Sequence, residues 1–242
     1  MPAPSLEWRF VSFLIWRDKL STSNILRWFG RTALLSVRGL RTTIQTNKSY
    51  LAGIPVSVIA EWHETFAATS ARSSLRIFDA ALARIVWHQS QNHHVFLISG
   101  TLAPLAKTLA AQMPGPVFVA ASELTTKPVR HSSEAVWTGE LSGKHMAGAA
   151  KLRAIQRLAA QQDLDLTRSY AYGNDASDGS MLGEVGNPHA VNPSRTLACT
   201  ARRCGWPIER WHDSRLVGLG APPLYGIHLA TSAAFPIAEG CQ

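Results

Sequence analysis

The stretch Ala171–Pro193, AYGNDASDGSMLGEVGNPHAVNP, carries the reading of the fold. A short apolar run closes on Tyr172-Gly173, and a polar loop then holds Asn174, Asp175 and Asp178. A brief helix follows with Met181 and Leu182, and a second turn carries Asn187 and Pro188. Carboxylates and carboxamides directly behind a short strand are what an open α/β sheet presents at its carboxyl edge, where ligands bind. Their hard oxygens suit Mg2+, which keeps several waters and needs few protein ligands when a substrate phosphate supplies the others. The same residues would also make an Asx-rich surface turn, so the reading needs companions.

Two other loops supply them. Val95–Ile98 is a compact apolar run followed by Ser99-Gly100-Thr101 and a helix from about Pro104. A hydroxyl residue and a glycine at a strand end let Oγ and backbone N–H groups converge on phosphate oxygens, and the following helix N-terminus favours the anion. Lys151 opens a helix after the glycine-bearing segment 143–148, where an ammonium can neutralise phosphate charge; Lys144 is a competing candidate.

Outward from these loops, Phe10–Trp16, FVSFLIW, reads as a strand covered on both faces. Helical periodicity starts at Ser23 or Asn24 and runs in broken form to about Tyr50. Gly53-Ile54-Pro55 interrupts it before helices over Val56–Ala68 and from Ser73 past Val86. With no strand expected inside it, the block reads as a small cap. Val117–Ala120 is a further strand, residues 123–139 a hairpin or flap, and a helix runs from His145 or Gly148 to Ala160. Ser169–Tyr172 and His189–Val191 are strands, Thr196–Cys204 is a helix, and Ile208–Trp211 returns to the sheet. The expected fold is α/β: an open, mostly parallel sheet with helices on both faces. Residues 8–22 and 91–215 would form the core domain, 23–90 the helical cap, and 216–242 an irregular tail.

A chain of 242 residues can bury a sizeable core. The 24 Lys and Arg against 16 Asp and Glu give a formal charge of +8, which favours a small phosphorylated or anionic partner. The excess is scattered and no basic recognition module accompanies it, so no nucleic-acid partner is expected. Three cysteines are too few for a disulfide scaffold, and the first residues lack a signal-peptide pattern, which together imply a cytoplasmic setting. The helix around Ile25–Leu40 sets Trp28, Phe29, Leu34 and Leu35 among Arg27, Arg31, Arg38 and Arg41. Such a helix could touch an anionic membrane peripherally, and a cap helix over a phosphate site would look the same. The chain is expected as a monomer or homodimer.

Taken together, these motifs resemble the haloacid-dehalogenase-like (HAD) hydrolase superfamily, in its phosphoserine-phosphatase-like branch with a helical cap after the first strand. Leu97-Ile98-Ser99-Gly100-Thr101 is similar to the strand-end (S/T)-G-(T/S) of that family. Tyr172–Leu182 is similar to Y-(G/S)-D-S-x-x-D-x-P-M-L, and Val185–Pro193 to V-G-x-P-x-A-V-N-P. The resemblance implies Mg2+-dependent phosphomonoester hydrolysis by an aspartyl-phosphate route. It implies phosphate contacts from Ser99, Gly100, Thr101, Lys151 and Asn187, catalytic roles for Ser99 and Lys151, and metal ligands among Asp18, Asn174, Asp175 and Asp178.

The chain departs from the pattern at its first motif. Aligned by the strand end, Trp16-Arg17-Asp18-Lys19-Leu20 takes the place of D-x-D-x-T. Asp18 is then the acid/base, but an indole cannot replace the nucleophilic carboxylate. Asn174 likewise stands where the metal loop has Asp. Three expectations follow: a phosphatase-type protein that binds an anionic ligand without hydrolysis, a pocket turned to other chemistry with Asp18, Asp175, Asp178 or His63 as acid or base, or a displaced start that leaves out a normal first motif.

Overall fold

The protein is seen in a computed structural model that describes residues 5–35, 39, 43, 45–70, 77–129, 131 and 133–212. Leu6–Trp16 is an α-helix, α1, which corrects the strand expected over Phe10–Trp16. Ser5 caps it, its Oγ accepting the Trp8 N–H at 3.3 Å, and Glu7 complements the dipole in the first turn. Leu6, Phe10, Val11 and Leu14 are buried, the spacing of one helical face. The opposite face carries Trp8, Ile15 and Trp16 around the small Ser12, so no charged stripe reveals the period in the sequence. Asp18 consequently lies in an exposed left-handed turn (φ 49°) behind a helix, not at a strand end.

Helix α2, Thr22–Leu35, begins earlier than expected because Ser21, not Ser23 or Asn24, accepts the Asn24 N–H through Oγ at 3.2 Å. Asn24 is buried instead and its amide donates to the Tyr50 carbonyl at 2.8 Å, pinning the 3-10 turn Ser49–Leu51. Beside it, fully buried Lys48 forms an ion pair with Glu7 of α1. Helices α3 (Val56–Ser70) and α4 (Asp79–Ser90) follow, with Pro55 entering α3 as expected. Ser73, placed at the start of the last helix by the sequence, lies outside the described residues, as does the 216–242 tail.

The parallel strands come from helix crossovers, which such pairing requires. Strand β1 (Phe96–Leu102) passes through α5 (Ala103–Ala110) to β2 (Phe118–Ser122), pairing Phe96 with Phe118 and Ser99 with Ala121. β3 (Leu124–Pro128) and β4 (Ala135–Leu141) form the expected antiparallel hairpin. Helix α6 (Ala149–Gln162) leads to β5 (Tyr170–Gly173), α7 (Gly179–Leu182), β6 (Asn187–Val191), α8 (Arg195–Cys204) and β7 (Ile208–Glu209). β5, β6 and β7 pair in parallel in that order. The fold is therefore α/β with parallel strands, as the sequence implies. With Phe10–Trp16 helical, its parallel strands form two separate ladders, β1-β2 and β5-β6-β7, among the described residues.

Two apolar cores meet at β1. Leu97 packs toward a cluster built from Phe10 and Leu14 of α1, Ile59 and Phe66 of α3, and Leu105 of α5. Its neighbour Ile98, pointing to the opposite face, packs toward Ile155, Ala171, Leu182 and Leu197 behind β5 and β6. Among the described residues no helix is long and apolar enough to cross a membrane.

Candidate functional site

Ser99, Gly100 and Thr101 belong to β1 itself, and α5 begins directly after Leu102. The register against β2 slips between Ser99 and Leu102, so the triplet turns out of the ladder as it ends. The Thr101 N–H donates to Ser99 Oγ at 3.1 Å. Gly100 is required by a close approach: a Cβ there would lie 2.9 Å from both Cε1 and Nε2 of His145.

His145 is the residue that sequence reasoning missed, since a lone histidine in a glycine-bearing loop carries no motif. Its Nδ1 lies 3.2 Å from Ser122 Oγ, which also accepts the Met146 N–H at 3.1 Å and donates to the Gly100 carbonyl at 3.0 Å. The single Ser122 hydroxyl proton goes to that carbonyl, so the network assigns the His145 proton to Nδ1 and leaves Nε2 with a lone pair beside Gly100. Burial, with the positive charges of Lys48 and Lys151, lowers His145 to about 4 and keeps it neutral.

Lys151 stands in the first turn of α6, and its Nζ meets Asp178 Oδ1 at 2.6 Å with both side chains largely shielded from solvent. The Gly148 N–H, at the N-cap of α6, donates to the Ser177 carbonyl at 3.0 Å and ties that helix start to the 174–178 loop. Asp178 Oδ2 accepts the N–H groups of Asn174 at 2.9 Å and Asp175 at 3.0 Å. Asp175 Oδ1 accepts the Ser177 N–H at 3.0 Å, completing a reciprocal capping box. Gly173 leaves room for this carboxylate, because a Cβ there would fall 2.7 Å from Asp178 Cβ. Asn174 is exposed and holds the start of α8 through its carbonyl, which accepts the Ser194 N–H at 2.8 Å.

The structure thus brings together Ser99, Gly100, Lys151, Asp175 and Asp178, with His145 between the strand end and the lysine. It does not bring Asp18 to them. Asn187 opens β6 opposite Tyr170, at the amino end of the strands, and its carboxamide reaches the Arg168 and Ser169 carbonyls, a turn-anchoring position rather than a phosphate contact. His63 is buried in the apolar core against Phe10, ring centroids 4.5 Å apart, with neither ring nitrogen hydrogen-bonded. Lys144 is exposed on a cleft of about 550 Å³ that adjoins the site and is also lined by Arg31, Asn47, Glu140 and His145.

The donor set does not fit the Mg2+ that the resemblance implies. Both Asp178 oxygens are committed to protein donors, Asp175 caps a turn, Asn174 is neutral, and Asp18 stands apart. No three His, Cys, Asp or Glu side chains gather as a metal set among the described residues. What the arrangement offers an anion is an ammonium, a strand-end hydroxyl and backbone N–H groups in one partly shielded corner.

Comparison with known proteins bears on family and fold. The family model for haloacid dehalogenase-like hydrolase matches residues 4–183. The chain is 34% identical over 152 residues to the inhibition of morphological differentiation protein of Streptomyces azureus, covering 61% of this chain and 52% of that one. It is 30% identical over 176 residues to a phosphoserine phosphatase of Mycobacterium tuberculosis, covering 69% and 55%. The chain spans about half the length of the curated relatives it matches. A Bordetella pertussis protein of unknown function superposes with a TM-score of 0.69 at 20% identity, covering 85% of this chain and 91% of that one. A phosphoserine phosphatase holding a phospho-aspartyl intermediate analogue gives 0.53 at 16% identity, covering 78% and 82%. The chain belongs to the haloacid dehalogenase-like hydrolase family.

Proposed function

We propose that the chain is a phosphatase-type HAD protein, degenerate in its nucleophile motif, that holds a small phosphorylated molecule between the end of β1 and Lys151 without hydrolysing it. The observation that carries this reading is the Lys151–Asp178 pair at 2.6 Å, linked to the Ser99-Gly100 strand end by His145, whose ring lies against Gly100 and feels the Lys151 charge. Asp178 holds the ammonium in place, and two backbone N–H groups hold Asp178, so the cation is pre-positioned for a phosphate before any ligand arrives. Ser99 Oγ and the start of α5 supply further polar contact. Where the resemblance puts the nucleophilic aspartate the chain has Trp16, the last residue of helix α1, whose indole cannot attack phosphorus. The names of the relatives support a phosphatase-like ancestry, and the cytoplasmic setting and the cap role of residues 23–90 belong to the same proposal.

The test is binding and turnover measured together. Calorimetry with inorganic phosphate should show binding that weakens at least about tenfold in Lys151→Ala, the loss of one charge-assisted contact. An aryl phosphate with added Mg2+ should be released no faster than in buffer. Turnover that disappears in Asp18→Ala or Asp178→Ala would overturn the non-hydrolytic reading, and the absence of phosphate binding would overturn the site.

A further inference from the structure

Helices α1 and α2 are apolar on the side that faces away from the protein. On α1, Trp8 is 49% exposed, Ile15 48% and Trp16 86%; on α2, Leu26 is 70% exposed, Phe29 58% and Leu34 76%. At 100° per residue, Trp8, Ile15 and Trp16 fall within about 100° of arc, and Leu26, Phe29 and Leu34 within about 140°. No charged side chain lies inside either arc. The inward side of α2 carries polar contacts instead: buried Asn24 donates to the Tyr50 carbonyl, and Asn47 donates to the Trp28 carbonyl at 3.0 Å. Beside these amide contacts Trp28 packs on the apolar core, so α2 is anchored from its inward side and still presents an uncharged apolar face to water.

The charges sit at the borders of the arcs. Arg9 and Arg27 lie next to them on α1 and α2, and Arg17 and Lys19 occupy the five-residue turn that joins the helices. Arg27 Nη1 donates to the Ala52 carbonyl at 3.2 Å, and the Arg17 guanidinium lies 5.9 Å from the Phe13 ring centroid. Of the acids nearby, Glu7 is paired with Lys48 and Glu140 with Arg31 at 3.0 Å, leaving Asp18 in the turn as the counter-charge. Aromatic and aliphatic side chains outward with arginines and a lysine along the edge is the composition of a helix that lies in a bilayer interface.

We propose that the outward faces of α1 and α2 dock on an anionic membrane surface. The charge pattern selects this occupant over a second copy of the chain, since a two-fold contact through these faces would set one copy's arginine border against the other's, whereas anionic headgroups neutralise it.

The test uses the full chain with vesicles of equimolar phosphatidylglycerol and phosphatidylcholine, and with phosphatidylcholine alone, followed by co-sedimentation and tryptophan fluorescence. The chain should sediment with the anionic vesicles at low salt, with a blue shift, and at least about tenfold more weakly with the neutral ones. The double variant Leu26→Ser/Phe29→Ser, folded by circular dichroism, should bind the anionic vesicles at least about tenfold more weakly. Absence of sedimentation with anionic vesicles would overturn the proposal. Undiminished binding by the variant would also overturn it, reducing the effect to net charge. A concentration-dependent dimer that the same variant abolishes, with no vesicle binding, would assign the face to a second copy and equally overturn it.

Discussion

Asp178 accepts hydrogen bonds from one ammonium and two backbone N–H groups while almost fully buried, so the residue is at once the loop's organiser and the lysine's anchor. Asp178→Ala should cost on the order of 3 kcal/mol in urea unfolding, because it leaves a shielded ammonium and two N–H groups without their acceptor. Lys151→Met, which removes the charge but keeps the stem, should cost less. His63 is the opposite case, a histidine with two buried nitrogens and no partner, which burial lowers to about 4. Between pH 6.5 and 4 the unfolded chain takes up a proton at this residue that the folded chain does not, so stability is full above 6.5 and is lost progressively as pH falls toward 4. The loss amounts to about 3 kcal/mol. His63→Leu should therefore raise the urea midpoint at pH 7 and flatten its fall between pH 6.5 and 4; an unchanged pH profile would show that the imidazole finds a partner.

At the scale of elements, Ser122 is the joint of the site. Its hydroxyl links the end of β2 to the Gly100 carbonyl of β1, the Met146 N–H and the His145 ring. Ser122→Ala should cost roughly 1–3 kcal/mol and speed amide exchange at Met146, since three polar groups lose one common partner. Helix α1 shows how an element escaped the sequence. FVSFLIW offers a nearly continuous apolar run bounded by charges, and such a run is compatible with a buried strand or with a helix that is apolar on most of its circumference. The Ser5 cap and the facing helix α3, which receives Phe10 edge-on to Phe66 at 5.4 Å, settle it as a helix. Where apolar positions do recur in phase, as in α6, the sequence placed the element within a few residues, whereas the irregular alternation over 123–139 left a hairpin or flap that the structure resolves as the β3–β4 hairpin.

At the scale of the molecule, three histidines among the described residues sit in shielded positions on different elements, and burial lowers each to about 4: His63 on α3, His88 on α4 and His145 before α6. His88 joins α4 to the β5–β6 face, with Nδ1 3.0 Å from His93 Nδ1 and Nε2 3.0 Å from the Tyr172 hydroxyl. Arg84 on the same helix reaches Glu209 of β7 at 3.4 Å, and His189 of β6 meets that carboxylate at 2.6 Å. Three protons taken up only on unfolding give a stability slope of up to about 4 kcal/mol per pH unit near pH 5. Urea titrations from pH 7.5 to 4 should therefore show a steep loss between about pH 6.5 and 4; a shallow slope, under about one proton, would show that these rings titrate as if exposed.

The sequence by itself determined the α/β grammar, the Ser99-Gly100-Thr101 strand end, the lysine at the helix start and the aspartate loop, because each is a local pattern of turn, cap and period. Only the tertiary structure decided which of these meet. It joined Lys151 to Asp178 across 27 positions, inserted His145 against Gly100, and sent Asp18 and Asn187 elsewhere. It also turned α1 into a helix with two apolar faces. The physical reason is that local pattern specifies backbone conformation, whereas a site is made by contacts between distant segments, and only packing selects those.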